Sequence, residues 1–80
     1  MINKENMNQE TREELVALAN ARMPFGRYQG KFLIELPEHY LVWYKGQGFP
    51  AGKLGKQMEQ ILEIKANGLE PLIYKLKKML

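Results

Sequence analysis

Proline and glycine break this chain at four places, and their distribution limits the fold more than any other feature of the sequence. No segment free of both residues is longer than the first 23 of the 80 residues. Proline removes a backbone donor and glycine destabilises helix interiors, so elements are expected to end at these places. The sequence therefore predicts one small domain of short elements. The breaks are Pro24, Gly26 and Gly30; Pro37; Gly46, Gly48, Pro50, Gly52 and Gly55; and Gly68 and Pro71.

The apolar spacing between the breaks predicts four helices. Thr11 and Glu14 have the spacing of a capping box and are expected to start the first helix. The polar residues 1–10 before it are expected to be flexible. The predicted helices cover about 11–22, 37–46, 53–67 and 71–80. The core-facing residues expected in the third and fourth are Leu54, Met58, Ile61, Leu62, Leu72, Ile73, Leu76 and Leu80.

Residues 24–34 are predicted to form a β-hairpin. Phe25 precedes a tip bounded by Gly26 and Gly30, and an apolar run follows it, which is the pattern of two short strands joined by a turn. The two glycines are explained if the turn needs a positive φ, and they need no further role. The expected fold class is therefore α+β: a small, mostly helical single domain over residues 11–80, with one short hairpin packed on the second helix.

The second helix carries three aromatic residues on one side. At 100° per residue its large apolar side chains fall within an arc of about 160°. Such an arc is more often core than a ligand platform, so Trp43 is expected to be buried. The arc contains Tyr40, Leu41, Trp43 and Tyr44. The residues assigned a structural role are Phe25, Gly26, Gly30, Pro37, Tyr40 and Trp43.

The composition excludes most catalytic chemistry. The chain has no cysteine, serine or aspartate, and a zinc site would need ligands beyond His39 that only glutamates could supply. Glu35 and Glu38 flank Pro37, where carboxylates usually serve the helix dipole. We therefore expect a non-enzyme with no metal and no cofactor. The polar N-terminus lacks a secretory signal and no run is long enough to span a membrane, so a cytoplasmic location is expected.

The middle third of the chain is basic and aromatic. Residues 23–56 hold five cations and two glutamates, a net charge of +3, together with most of the aromatic residues. Cations bind a phosphate backbone and release its counterions, and aromatic rings stack on unstacked bases. A charge of this size is also common for solubility alone, so the composition leaves both interpretations open.

The segment "MPFGRYQGKFLIELPEHYLVWYKGQGFPAGKLGKQMEQILEIKANGLEPL", residues 23–72, resembles a family of short bacterial proteins of unknown function labelled "putative quorum-sensing-regulated virulence factor". Its opening pattern is also similar to the C-terminal accessory segment of DEDD-type exonucleases such as exodeoxyribonuclease X. The second resemblance ends near Tyr44 and implies a DNA-contacting module. The matching residues are Phe25, Gly26, Arg27, Tyr28, Gly30 and Lys31.

Two functional predictions follow. The first is a weak, sequence-tolerant nucleic-acid-binding module for single-stranded or duplex ligands, in which Arg27 and Lys31 reach phosphates and Tyr28 offers a ring to a base. Lys53 and Lys56, at the start of the third helix, would extend that surface. The alternative is a protein-interaction or regulatory module without nucleic-acid binding. Outward-facing Val42 and Tyr74 would then contact a protein partner or a second copy.

Overall fold

The fold is all-α. The computed structural model describes residues 4–77, with side chains from Arg12 onward. Helix α1 packs on α4, α2 packs on α3, and a short 3₁₀ turn contacts both α1 and α3. The helices are α1 (Lys4–Asn20), α2 (Glu38–Gln47), α3 (Lys53–Ala66) and α4 (Glu70–Lys77), and the 3₁₀ turn is Leu33–Glu35.

The core is centred on the segment between α1 and α2. Leu33 and Ile34 of the 3₁₀ turn and Leu36 after it are completely buried. Each of these side chains contributes about 1.5–3 kcal/mol when removed from water. The four helices, each through one face, and Met23 of the loop after α1 supply the rest of the core. Those residues are Leu18, Ala19, Met23, Leu41, Met58, Ile61, Leu62 and Ile73.

The predicted hairpin over 24–34 is wrong, and with it the α+β class. Residues 4–77 contain no strand, and a single antiparallel bridge joins Arg22 to Phe32. On one side the pairing ends because the Lys31 N–H donates to the Tyr28 carbonyl within the turn instead of to the Met23 carbonyl. On the other side the chain turns into the 3₁₀ helix, which buries Leu33 and Ile34 together, whereas a strand would direct them to opposite faces. The hairpin is therefore reduced to a loop closed by one bridge.

The first helix begins earlier than predicted. Helix α1 starts at Lys4, so Thr11 lies within it rather than at its start. The preceding residues contain no proline or glycine and can continue the helix. At the other end Asn20 closes the helix, and its side-chain amide donates to the Val16 carbonyl over 2.9 Å. The flexibility expected for residues 1–10 stays a prediction, and residues 1–3 lie outside the described part of the chain.

The expected burial of Trp43 is also wrong. Its side chain is 58% exposed, and Leu41 is the one buried residue of α2. Trp43 lies about 160° around the helix from Leu41 at 100° per residue. The aromatic arc therefore meets the core at one edge, and Trp43 stands at the opposite edge.

The faces of α3 and α4 are closer to expectation. Met58, Ile61 and Leu62 are buried as predicted. In α4 Ile73 is buried, but Leu72 is 56% exposed against the prediction. The predicted inward position of Leu80 lies outside the described residues. Within residues 4–77 no helix combines the length and hydropathy that crossing a bilayer requires.

Candidate nucleic-acid interface

The tip loop, residues 24–31, is a tight turn that depends on two glycines. Gly26 has φ 78° and Gly30 has φ 87°, values that side chains with a Cβ rarely adopt. The Gly30 N–H donates to the Met23 carbonyl over 2.8 Å, and the Met23 N–H donates to the Lys31 carbonyl over 2.8 Å. A Cβ at either glycine would meet no atom within 4 Å. The predicted need for positive φ is therefore confirmed, and close backbone approach is not the reason for these glycines.

Arg22, which precedes the tip loop, contacts Gly30 within the loop and Phe32 after it. Its guanidinium Nη1 donates to the Gly30 carbonyl over 2.8 Å, and its Cζ lies 4.0 Å from the centre of the Phe32 ring. Phe32 is the bridge partner of Arg22 across the loop. The apolar spacing predicted Arg22 as the last residue of the first helix and gave no indication of this role, because the contacts depend on how the loop closes.

The three predicted tip residues lie together and differ in exposure. Arg27 and Lys31 are exposed, whereas Tyr28 is half-buried. The Arg27 guanidinium carbon lies 5.5 Å from the centre of the Tyr28 ring, within cation–π range. The loop therefore presents two exposed cations beside a ring that packs against Tyr40.

Five rings form a continuous aromatic strip from the tip loop across α2 to the loop before α3. Tyr40 is central: its ring centre is 4.7 Å from that of Tyr28, edge to face, and 6.2 Å from that of Trp43. The Tyr40 and Trp43 planes are tilted by 28°. Tyr44 contacts Tyr40 at 5.8 Å and Phe49 at 5.8 Å. The predicted packing of the tip against the second helix is therefore made by these rings rather than by a hairpin.

Packing within the aromatic strip alters the titration of the Tyr40 phenol. Burial raises the pKa of Tyr40 above its ordinary value, and the phenols of Tyr44 and Tyr28 raise it further because nearby phenolates repel. The ring therefore stays neutral across the physiological range. In the described part of the chain, no cluster of three or more histidine and glutamate side chains is placed to hold a metal ion.

Lys53 and Lys56 occupy a different surface. They line an open groove between α1 and α3, where Glu13 and Glu14 lie on the facing helix. No residue that lines this groove belongs to the tip loop or the aromatic strip. The predicted five-residue site is thus divided into a basic tip and a groove of mixed charge, and the two carboxylates offset the lysine charges in the groove.

The comparisons with known proteins identify the family. Residues 11–76 match the family described as "Putative quorum-sensing-regulated virulence factor", and the chain belongs to that family. It is 50% identical over 70 residues to the uncharacterized protein YpeB of Escherichia coli strain K12, covering 86% of this chain and 97% of the relative. YpeB of Escherichia coli O157:H7 matches with the same identity and coverage. No solved structure matches the chain. The resemblance of the tip to an exonuclease accessory segment stays a prediction.

Proposed function

We propose that this chain is a non-catalytic module that binds nucleic acid weakly and with little sequence preference through its tip loop. The observation that carries the proposal is the placement of exposed Arg27 against the Tyr28 ring, with exposed Lys31 in the same loop. Cations neutralise phosphates and release counterions, and a neighbouring ring stacks on bases of any identity. The arrangement fits a ligand that combines regular negative charge with flat rings.

The surrounding charge favours the same ligand. The segment 23–56, which contains the tip and the aromatic strip, carries a net charge of +3. Lys53 and Lys56 belong to that segment, but Glu13 and Glu14 face them across the groove. We therefore assign them a smaller share of binding than Arg27 and Lys31.

The salt dependence of binding tests this assignment. Labelled single-stranded DNA, duplex DNA and RNA are titrated at two salt concentrations. On single strands, log K should fall against log salt with a slope of about −1.4 if two cations contact phosphates and about −3 if four do. We expect the smaller value. The Arg27→Ala/Lys31→Ala variant removes both of these contacts, so its slope should flatten by about 1.4 units, to near zero.

The matched control is the Lys53→Ala/Lys56→Ala variant, which removes the same charge from the groove. It should change the slope less than the tip variant does. Equal effects of the two variants would show that binding follows net charge rather than the tip. If the wild-type protein at tens of micromolar binds none of the three ligands at low salt, the proposal is wrong and the tip is a structural turn.

A protein-interaction module is the second candidate, favoured by apolar side chains that remain in contact with water. Val42 is 55% exposed and Tyr74 is 45% exposed, as predicted, and Leu69 and Leu72 lie one helical turn apart and are also exposed. Such side chains can stabilise a small domain by association. A protein that stays monomeric by sedimentation across micromolar concentrations, with no partner recovered, would contradict this candidate.

A further inference from the structure

Trp43 presents an exposed ring that contributes little to the core. Its indole lies on the side of α2 opposite Leu41 and is more exposed than any other large apolar side chain among those described. The Tyr40 ring lies 6.2 Å away at 28° and supports it from one side. A large ring that packs on a neighbour and is more than half exposed resembles the aromatic side chains on which single-strand-binding proteins stack bases.

The residues that flank Trp43 along α2 are polar and not acidic. His39 and Gln47 precede and follow it by four residues, so both lie on its side of the helix, and both are exposed. Glu38, the acidic residue of α2, lies about 140° around the helix from Trp43. The ring is therefore bordered by side chains that can donate hydrogen bonds to a base or a phosphate, with the helix carboxylate directed elsewhere.

Trp43 is also close to the tip loop. The ring centres of Tyr28 and Trp43 lie 4.7 Å and 6.2 Å from that of Tyr40, so they are at most about 11 Å apart. Consecutive stacked nucleotides advance about 3.4 Å along one strand, so about four nucleotides span this distance. A strand held by phosphate contacts at Arg27 and Lys31 can reach the indole without a long unbound segment.

We infer that Trp43 is a second base-stacking site and that the ligand of this surface is a single strand, DNA or RNA, with unpaired bases. This inference rests on the proposed function and specifies its ligand. A duplex keeps its bases paired and stacked, so their faces are closed to an indole, whereas an unpaired base stacks on the open face of Trp43. A second copy of the chain fits this surface less well. Two segments that each carry a net charge of +3 would then face and repel each other.

Two independent signals make the test specific. A labelled strand of about twenty nucleotides, longer than the site sizes usual for such surfaces, is titrated free and hybridised to its complement. Label anisotropy reports binding of any kind. Tryptophan emission reports contact at Trp43 alone, because the chain contains one tryptophan. We expect anisotropy to rise with the free strand, emission to be quenched at the same concentrations, and the duplex to bind at least several-fold more weakly.

Variants then assign the contact. Trp43→Ala should weaken binding of the free strand by about 5- to 150-fold, the change that corresponds to about 1–3 kcal/mol of stacking. Trp43→Phe keeps a ring and should recover most of that loss. Tyr74→Ala removes an exposed ring from α4, away from the strip, and should bind like the wild type. Circular dichroism checks that all three variants remain helical.

The outcomes separate this inference from the proposed function. If the strand binds but emission does not change and Trp43→Ala binds normally, Trp43 is not a stacking site and the tip loop still binds nucleic acid. Equal binding and equal quenching by the duplex would overturn the assignment of an unpaired ligand. If anisotropy detects no binding, both the proposed function and the inference are wrong.

Discussion

The Lys77 ammonium lies 3.6 Å from the centre of the Phe32 ring and joins the last turn of α4 to the residue that follows the tip loop. Arg22 approaches the same ring, with its Cζ at 4.0 Å. Cation–π contacts contribute about 0.5–1 kcal/mol when exposed and about 2 kcal/mol when desolvated. Because Phe32 and Lys77 are both half-buried, their contact should contribute between these values.

A double-mutant cycle between Phe32→Leu and Lys77→Gln tests this contact. Leucine keeps apolar bulk but has no ring, so each single variant should lower the free energy of unfolding, and the coupling should be about 0.5–2 kcal/mol. Urea denaturation supplies the values. Lys75→Gln, which changes an exposed lysine on the same helix, should show no coupling to Phe32→Leu. A zero coupling for Lys77 would mean that the ring contact adds nothing.

Trp43 and Leu41 form a matched pair on α2, one exposed and one buried. Trp43→Ala should change the free energy of unfolding by less than about 1 kcal/mol, because few packed contacts are lost. Leu41→Ala should cost about 2–5 kcal/mol, because it leaves a cavity in the core. The wild-type emission should be red-shifted and readily quenched. A blue-shifted emission with a large loss on Trp43→Ala would instead place the indole in the core.

The sequence predicted the helices better than it predicted their packing. The spacing of Met58, Ile61 and Leu62 correctly defines the buried face of α3, and Gly68, at φ 67°, follows its end as expected. Trp43 was misplaced because an arc of about 160° cannot show which of its edges meets the core. That choice depends on the tertiary position of α2, which local periodicity does not contain.

The candidate nucleic-acid interface was only partly predictable from the sequence, because some of its contacts depend on the tertiary structure. The positive φ values at Gly26 and Gly30 follow from local turn chemistry, and the sequence predicted them. The contact of Arg22 with Phe32 depends on loop closure, so it carried no local signal. Lys53 and Lys56 were grouped with the tip because they belong to the same basic third of the sequence and lie at a helix start, although they line a separate groove.

Gly55 is a glycine that close packing requires. A Cβ there would collide with the Pro50 carbonyl oxygen, and the Phe49 Cβ lies next to it. Gly55→Ala should therefore lower the free energy of unfolding by about 1–3 kcal/mol, since the loop before α3 must shift.

Gly46→Ala is the control: Gly46 lies in α2 with no atom within 4 Å of its added Cβ. It should be stabilising by about 0.5–1 kcal/mol, because alanine favours helix. Thermal or urea unfolding that ranks the two variants in the opposite order would contradict the close approach.

The raised pKa of Tyr40 makes stability depend on pH at alkaline values. Folding favours the protonated phenol, so its stabilising contribution is complete below the ordinary tyrosine pKa of 10.0 and is lost as pH rises through the higher folded value. Tyr40→Phe cannot ionise and should lose stability less steeply above pH 10. Urea midpoints measured at intervals across this range provide the comparison, with Tyr74→Phe as a control outside the strip. Parallel curves for wild type and Tyr40→Phe would show that folding does not raise the pKa of Tyr40.

Substitution of Arg22 tests whether binding depends on the ordered conformation of the tip loop as well as on its charge. Arg22→Lys keeps the cation but loses the planar guanidinium that donates to Gly30 and lies over Phe32. The loop should loosen, and the Gly30 amide, which donates to the Met23 carbonyl, should exchange its hydrogen faster. Affinity for a single strand should fall while the salt slope stays constant, because the number of phosphate-contacting cations is unchanged.

Arg12→Lys, on the exposed side of α1, should alter neither exchange nor affinity. A flatter salt slope for Arg22→Lys would instead make Arg22 a direct phosphate contact, and unchanged exchange at Gly30 would mean that the hydrogen bond does not hold the loop.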